Sequence, residues 1–331
     1  MRVAAMGPGR ARGLKQEQIV LGVTALLVVV FSTTVSGFLT TDNLLTLVRN
    51  VSTLGILGTA MAIVVIGGGM DLSLVATMGV ATAVSIQLMG NADTPTAVAL
   101  GVGLLVALGM GLLNGFVIAF VEVPALFTTL ASGLFVYGLA RTALLGGMIA
   151  EVPPDRAFVR ALGQTSVLGV PMPIVIFAAV LAGAHLVLQR TSIGRFVYAH
   201  GDNREAAALT GIAVRPLTCI EYTACALLGF VAGLVMAGSV NGFNTQIIDS
   251  TLIYDVLLVV VVGGVSLVGG RGGATSVLAG ILLIGVMLNG MTLLDLNVYQ
   301  QNIVKGFVLL AALVLDNRLH PRDEETVRQG D

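Results

Sequence analysis

Residues 50–89 read NVSTLGILGTAMAIVVIGGGMDLSLVATMGVATAVSIQLM, two apolar runs (50–69 and 72–89) that meet at three glycines and one aspartate. A bilayer core of about 30 Å takes ~20 apolar helical residues per crossing, and both runs approach that length. Gly67, Gly68 and Gly69 interrupt a helix at low cost and expose backbone polar groups, which a membrane tolerates only inside protein or beside water. Asp71 is costly in lipid unless solvated or paired. It is read here as a cap for the helix that follows, accepting from that helix's free N–H groups, in preference to a substrate contact.

The rest of the chain has the same character. Its 331 residues are 56% hydrophobic and 11% charged, with a mean hydropathy of +0.96. Soluble domains carry roughly 25% charged residues, so an ordinary soluble globule is excluded. Forty-two glycines and no tryptophan suit helices packed through small residues, as in the pairs Gly111/Gly115 and Gly229/Gly233. Apolar segments of spanning character fall at 19–37, 50–69, 72–89, 96–120, 123–147, 172–188, 216–240, 252–268, 273–292 and 301–316. The expected fold is all-α: a polytopic integral membrane protein of about ten transmembrane segments, with broken or re-entrant helices among the shorter ones. A cytoplasmic N-terminal tail (1–18), a transmembrane domain (19–316) and a cytoplasmic C-terminal tail (317–331) follow from those limits.

Lysine and arginine placement sets the orientation, because short basic loops stay in the cytoplasm. With the N-terminus inside, twelve of the seventeen basic residues lie on the inner side, leaving Arg49, Arg141, Arg156, Arg160 and Lys305 outside. Both termini are therefore expected in the cytoplasm. The basic start before the first apolar stretch resembles a secretory signal, but it has no convincing cleavage site and reads as the first helix. The long inner loop is then 189–215. The long outer loop, 148–171, carries Glu151, Asp155, Pro153, Pro154 and Pro171, and either meets a delivery partner or caps the bundle.

Several chemistries find no support. A net charge of −1 without a basic stripe argues against nucleic acid. Cys219 and Cys225 suit neither a disulfide framework nor a metal site, and His185, His200 and His320 stand in no metal-ligand motif. No GxxxxGK[ST] phosphate loop occurs, so ATP is not bound and hydrolysed by that route and the driving energy comes from elsewhere. Nothing indicates an enzyme: there is no GxSxG elbow and no acidic pair suited to acid/base work. Glu221 and Asp255 keep open a proton relay of the kind used by ion-coupled secondary transporters, although acids near span ends are commonly solvated or paired. VVIGGGMDLSL (64–74) is echoed by VVGGVSL (261–267), and LLNG (112–115) by MLNG (287–290), as in transporters built from repeats.

The inner loop is the most specific segment. Residues 191–212 read TSIGRFVYAHGDNREAAALTGI, with a short helix expected from Asp202 to Leu209: an Asp or Asn start, Glu205 in the first turn, three alanines, and Gly211 as the stop. Glu205-Ala206-Ala207, with Gly211 four residues after Ala207, resembles the EAAxxxG signature by which ABC-importer permeases dock on their ATPase. With Gly201, Asp202 and Asn203, the whole loop is similar to that of ribose-type sugar permeases, the membrane subunits of bacterial carbohydrate ABC importers. GGGMDLSL (67–74), GLLNGFVIAFVEVPALFTTL (111–130) and VVVVGGVSLVGGRGG (259–273) match that family in the same order, and the resemblance covers about residues 40–316. The chain departs from the pattern at Met70, at Ala125-Leu126-Phe127 after Pro124, and at Asp202-Asn203.

The resemblance implies a cytoplasmic coupling helix and an ATP-binding cassette partner that carries ATP and Mg. It implies a periplasmic or lipid-anchored sugar-binding protein, a second permease subunit (identical or related), and a place in the bacterial cytoplasmic (inner) membrane, with no cofactor on this chain. The implied cargo is a monosaccharide or related polyol, with nucleosides or furanone-like signal molecules as alternatives. Asn114, Phe127, Thr128, Thr129 and Asn289 are the residues read for the translocation path, since an aromatic face with a few hydroxyl and amide groups suits a weakly held polyhydroxylated solute. The competing reading is that they only pack and hydrogen-bond between helices.

Overall fold

The computed structural model describes residues 16–145 and 147–319, with side chains described to residue 314. Expectations for residues 1–15 and 320–331, His320 included, lie outside them. The elements in chain order are α1 (Gln16–Thr34), α2 (Thr41–Ile66), α3 (Leu74–Met89), α4 (Thr96–Phe116), α5 (Ala125–Leu139), β1 (Ile149–Glu151), α6 (Ala157–Gln164), β2 (Ser166–Val167), β3 (Val170–Pro171), α7 (Met172–Arg190), α8 (Ser192–Asp202), α9 (Arg204–Leu209), α10 (Val214–Val240), β4 (Gly242–Asn244), α11 (Leu252–Gly263), α12 (Ala274–Leu293) and α13 (Val298–Leu319). Wide π turns extend α4 over Val117–Val121 and α5 over Ala140–Leu144.

The chain is a multi-pass helical membrane protein. Each expected apolar segment coincides with a helix, but among the described residues only six are long and apolar enough to cross a membrane: α1, α2, α4 with its extension, α7, α10 and α12. Leu74–Met89, Leu252–Gly263 and Val298–Val314 are shorter apolar helices, so helix length does not establish about ten crossings. Two boundaries move most: α11 stops at Gly263, five residues before the expected 268, and α2 starts at Thr41, nine residues before the expected Asn50, so that Arg49 is inside the helix instead of in an outer loop. Polar residues do not end a helix when they face a protein-lined space in place of lipid.

α10 organises the interior. Gly111 and Gly115 of α4 lie against the α10 backbone at Thr223 and Cys219, and Gly229 and Gly233 of α10 receive Leu74, Met78 and Thr82 of α3. Such close approach is what small residues permit where lipid supplies no force to drive helices together. α2 and α12 are largely buried around Ile56, Leu57, Met61, Ile281 and Ile284, whereas α1 and α7 lie at the periphery.

The contacts define two ends. At one, the C-terminus of α2 and the segment after α11 meet α8, and the start of α1 packs by the end of α11: Gln16 Nε2 lies 3.4 Å from the carbonyls of Val261 and Val262, and Glu17 accepts from Ser276 Oγ at 2.6 Å. At the other, β1 pairs antiparallel with β4, and Arg156 donates to the Asn91 carbonyl at 3.1 Å. Residues 149–171 cover that end, with α6 seated on α10 through the fully buried Val159 and through Gly163, which abuts Ser239.

Candidate functional site

The segment expected as a loop with one short helix is instead two helices. Thr191 opens α8, its hydroxyl accepting from Gly194 N at 3.2 Å, and the buried Gly194, Val197, His200 and Gly201 share one face. Their three-to-four-residue spacing in SIGRFVYAHG is the signal for α8 that the sequence reading missed. Asn203, in extended backbone, ends α8 and caps α9 by accepting from Ala206 N at 2.9 Å. Glu205 sits in the first turn of α9, where a negative charge complements the helix end. Gly211 (φ +88) closes the motif as Ile212 N donates to the Ala207 carbonyl at 3.2 Å. Ala207 is buried, whereas Arg204, Glu205 and Ala206 are exposed and Leu209 is 89% exposed.

Gly201 is where three distant segments meet. A Cβ there would fall on the Ile66 carbonyl oxygen and 2.6 Å from Gly270 N, while Gly270 N itself donates to the Ile66 carbonyl at 2.8 Å. Gly68 and Gly269 close around the same point. The breaks after α2 and after α11, one in each half of the echo, are thus both in backbone contact with α8. Tyr198 fastens the second break: its hydroxyl donates to the Gly272 carbonyl at 2.8 Å and lies 3.0 Å from Gln189 Nε2, which donates to it. Burial pushes the Tyr198 hydroxyl above the usual tyrosine pKa, and the Gln189 hydrogen bond partly opposes that shift.

Beside this junction lies a cleft of about 490 Å³, lined by Gly67–Gly69, Glu122, His200–Glu205, Thr218, Glu221 and Tyr222 among others. His200 Nδ1 is 3.4 Å from Glu221 Oε1, with both side chains buried. The Glu221 carboxylate occupies the space a Cβ on Gly67 would need, 2.6 Å away. Tyr222 Oη accepts from Met70 N and donates to the Met70 carbonyl, each at 3.2 Å. At the rim, Arg215 pairs with Glu122 at 2.9 Å; both are more than half exposed, so the pair contributes little to stability. Both acids of the relay reading have partners, Glu221 with His200 and Asp255 with Lys305. His200, Tyr222 and the glycines at 269–270 were not predicted for this site; the spacing of α8 marks the buried face that carries His200, but packing alone brings Tyr222 and the glycines to it.

The predicted path residues separate. Asp71 Oδ1 accepts from Ser73 N at 3.0 Å and from Ser73 Oγ at 2.6 Å, and Asn114 Nδ2 donates to Ser73 Oγ at 2.8 Å, so Asp71 and Asn114 join one buried network at the first break. Thr129 Oγ1 adds to it, accepting from Leu72 N at 3.1 Å and donating to the Ala125 carbonyl at 2.8 Å. Thr128 is buried, with the Val123 carbonyl 3.5 Å away. Phe127 is 63% exposed and does not line the cleft. Asn289 exchanges hydrogen bonds with Asn43 at 2.8 and 3.0 Å near the start of α2, about 36 Å along that helix from Gly67 at 1.5 Å per residue. The five residues form no single constellation.

Residues 43–313 match the family described as branched-chain amino acid transport system / permease component. Over 296 residues the chain is 32% identical to the ribose import permease protein of Haemophilus influenzae, covering 89% of this chain and 91% of that protein. It is 34% identical to the L-arabinose transport system permease protein of Escherichia coli K12, over 89% of each chain. A probable ABC transporter permease protein of the same organism is 33% identical over 97% of each chain. No solved structure matches this chain.

Proposed function

The chain belongs to this permease family, and from that premise we propose that it is the membrane-spanning subunit of an ATP-driven importer for a monosaccharide or related polyol. A substrate-binding protein hands over the solute, a separate cassette subunit binds ATP and Mg, and a second permease, identical or related, completes the pathway. The chain binds no cofactor and lies in the bacterial inner membrane with both termini in the cytoplasm. Its coupling loop is 189–215 within a transmembrane domain of 19–316. The ribose and arabinose relatives support a sugar as cargo.

One observation carries the mechanism: Gly201 touches the backbone of both helix breaks. The cassette engages the exposed face of α9, Glu205 and Leu209 included, and its closure displaces α9 together with α8. Because Gly201 meets carbonyl and amide groups and no flexible side chain, the close-packed junction transmits the displacement. The breaks lead into α3 and α12, so one push reaches both halves together. Only a push that distinguishes outward-open from inward-open states shifts their balance, and contacts at two breaks offer two places to make that distinction.

The test is purification of the tagged full-length chain in detergent from its native host, with co-purifying proteins identified by mass spectrometry. A Walker-motif ATPase together with a sugar-binding protein is the expected result. A chain that comes down alone and transports in ATP-free vesicles overturns the reading in favour of ion coupling.

A further inference from the structure

At the end of the bundle opposite the cleft, α2, α10, α11 and α12 enclose a second cavity of about 340 Å³. That volume is at the small end of the range for small-molecule sites, roughly 300–1,000 Å³. α2 lines it with Asn43, Asn50 and Thr53, which the helical period brings to one face, and with Arg49 beside them. Asn289 of α12 and Asp255 of α11 face them across the space. Much of the remaining wall is apolar, including Val51, Leu54 and Leu288.

Arg49 is the feature that needs an explanation. It lies eight residues into an apolar helix, its Nε is buried without a hydrogen-bond partner, and among the described residues no carboxylate pairs with it. Arg49 is half-buried in a helix of spanning character, and an ionisable side chain kept there with no carboxylate partner points to a functional site. The other charge is already neutralised, since Lys305 Nζ sits 2.8 Å from Asp255 Oδ1 and 3.0 Å from Oδ2. The Asn43–Asn289 exchange fixes two amide planes; the second N–H of Asn43 goes to the Phe38 carbonyl at 2.8 Å, so Asn289 keeps a free N–H and each amide oxygen a free lone pair. The cavity thus offers a guanidinium fork, amide donors and acceptors, and a held carboxylate, set in an apolar wall. A neutral polyol needs that combination, with hydroxyls at its edge and C–H groups on its faces.

We propose that this cavity is the station at which the transported polyhydroxylated solute first binds the permease. Arg49 and Asn50 are its direct contacts, and the Asn43–Asn289 and Asp255–Lys305 pairs are positioning elements. The inference rests on the importer reading, which makes this the side from which a delivered solute enters.

The experiment starts in the native host with radiolabelled D-ribose, L-arabinose, D-xylose and D-galactose; the sugar whose uptake disappears on deletion of the chain and returns with the wild-type chain is the probe. If none disappears, the importer reading for sugars falls and this inference falls with it. With a probe in hand, Asn50→Cys is placed in a Cys219→Ser/Cys225→Ser background and treated from outside with a membrane-impermeant thiol reagent. Labelling that the probe sugar slows severalfold, and a non-transported stereoisomer does not, supports the site. No labelling, or labelling indifferent to sugar as at a subunit interface, overturns it. Arg49→Gln and Asn50→Ala should each lower maximal uptake by about tenfold or more, the cost of a lost hydrogen bond to a charged or confined group, with both variant chains present in the membrane at the wild-type level. Unchanged uptake in both variants overturns the site and leaves the importer reading intact. A preference for the corresponding sugar acid over the neutral sugar in a parallel uptake assay overturns the neutral-polyol assignment.

Discussion

Lys305 of α13 reaches both carboxylate oxygens of Asp255 of α11, at 2.8 and 3.0 Å, and both residues are 8% exposed. Removing one partner strands a buried charge. Lys305→Met should destabilise the protein by about 3–5 kcal/mol, whereas Lys305→Met with Asp255→Leu should recover most of that loss. Denaturant midpoints of the detergent-solubilised variants measure both. Equal destabilisation in the single and double variants would show that packing, not charge pairing, governs this site.

Gly201→Ala places a methyl group on the Ile66 carbonyl, which is backbone and has no rotamer by which to yield. α8 must then move off the breaks. For the proposed importer subunit, the expected outcome is a chain still present in the membrane and still associated with the proposed ATPase partner, with hydrolysis continuing while uptake falls about tenfold or more, an effect of at least ~1.4 kcal/mol on the coupled step. Uptake at the wild-type rate would remove Gly201 from the coupling path.

Gly211 has φ +88, a left-handed value that costs a side-chain-bearing residue about 1–2 kcal/mol. No atom lies within 4 Å of its absent Cβ, so any effect of Gly211→Ala comes from backbone strain and not from a clash. The substitution should fray the end of α9 and reduce retention of the proposed cassette partner on purification, with little change in global stability. Gly211→Asn, which tolerates the left-handed region better, should retain more.

Tyr198 carries a pH dependence of known sign. Burial raises its pKa in the folded state, so the protonated hydroxyl is favoured by folding and keeps donating to the Gly272 carbonyl. The stability it contributes is complete below the unfolded tyrosine pKa of about 10 and is lost as pH rises through the higher folded value. Tyr198→Phe should cost about 1 kcal/mol at neutral pH and abolish that part of the alkaline destabilisation. Comparing unfolding midpoints of the two proteins across the alkaline range checks both points.

Legibility in the sequence varied with the range of the interactions. The helix break at 67–69, the Gly211 stop of α9 and its Asp-or-Asn start, which falls at Asn203 because Asp202 ends α8, and the positions of the apolar helices were readable, because each depends on composition, period or capping within a few residues. The start of α2 was not, because Arg49 and Asn50 look like a membrane boundary until a cavity is seen to receive them. α8 was missed because glycine and histidine hide its buried face. Asn114 and Asn289 look alike in LLNG and MLNG, yet one joins the network at the first break and the other pairs with Asn43 near the opposite end of α2.

By itself, then, the sequence determined the solvent this protein lives in and the local grammar of α9 with its start and stop. Transfer free energy acts residue by residue, and caps act within a turn, so both are written along the chain. Only the tertiary structure decided that Gly68, Gly201 and Gly270 share one junction, and that Arg49, Asp255 and Asn289 share one cavity. Those groupings come from helices packing through small residues at specific faces. Residues more than a hundred positions apart meet there only after the bundle has closed.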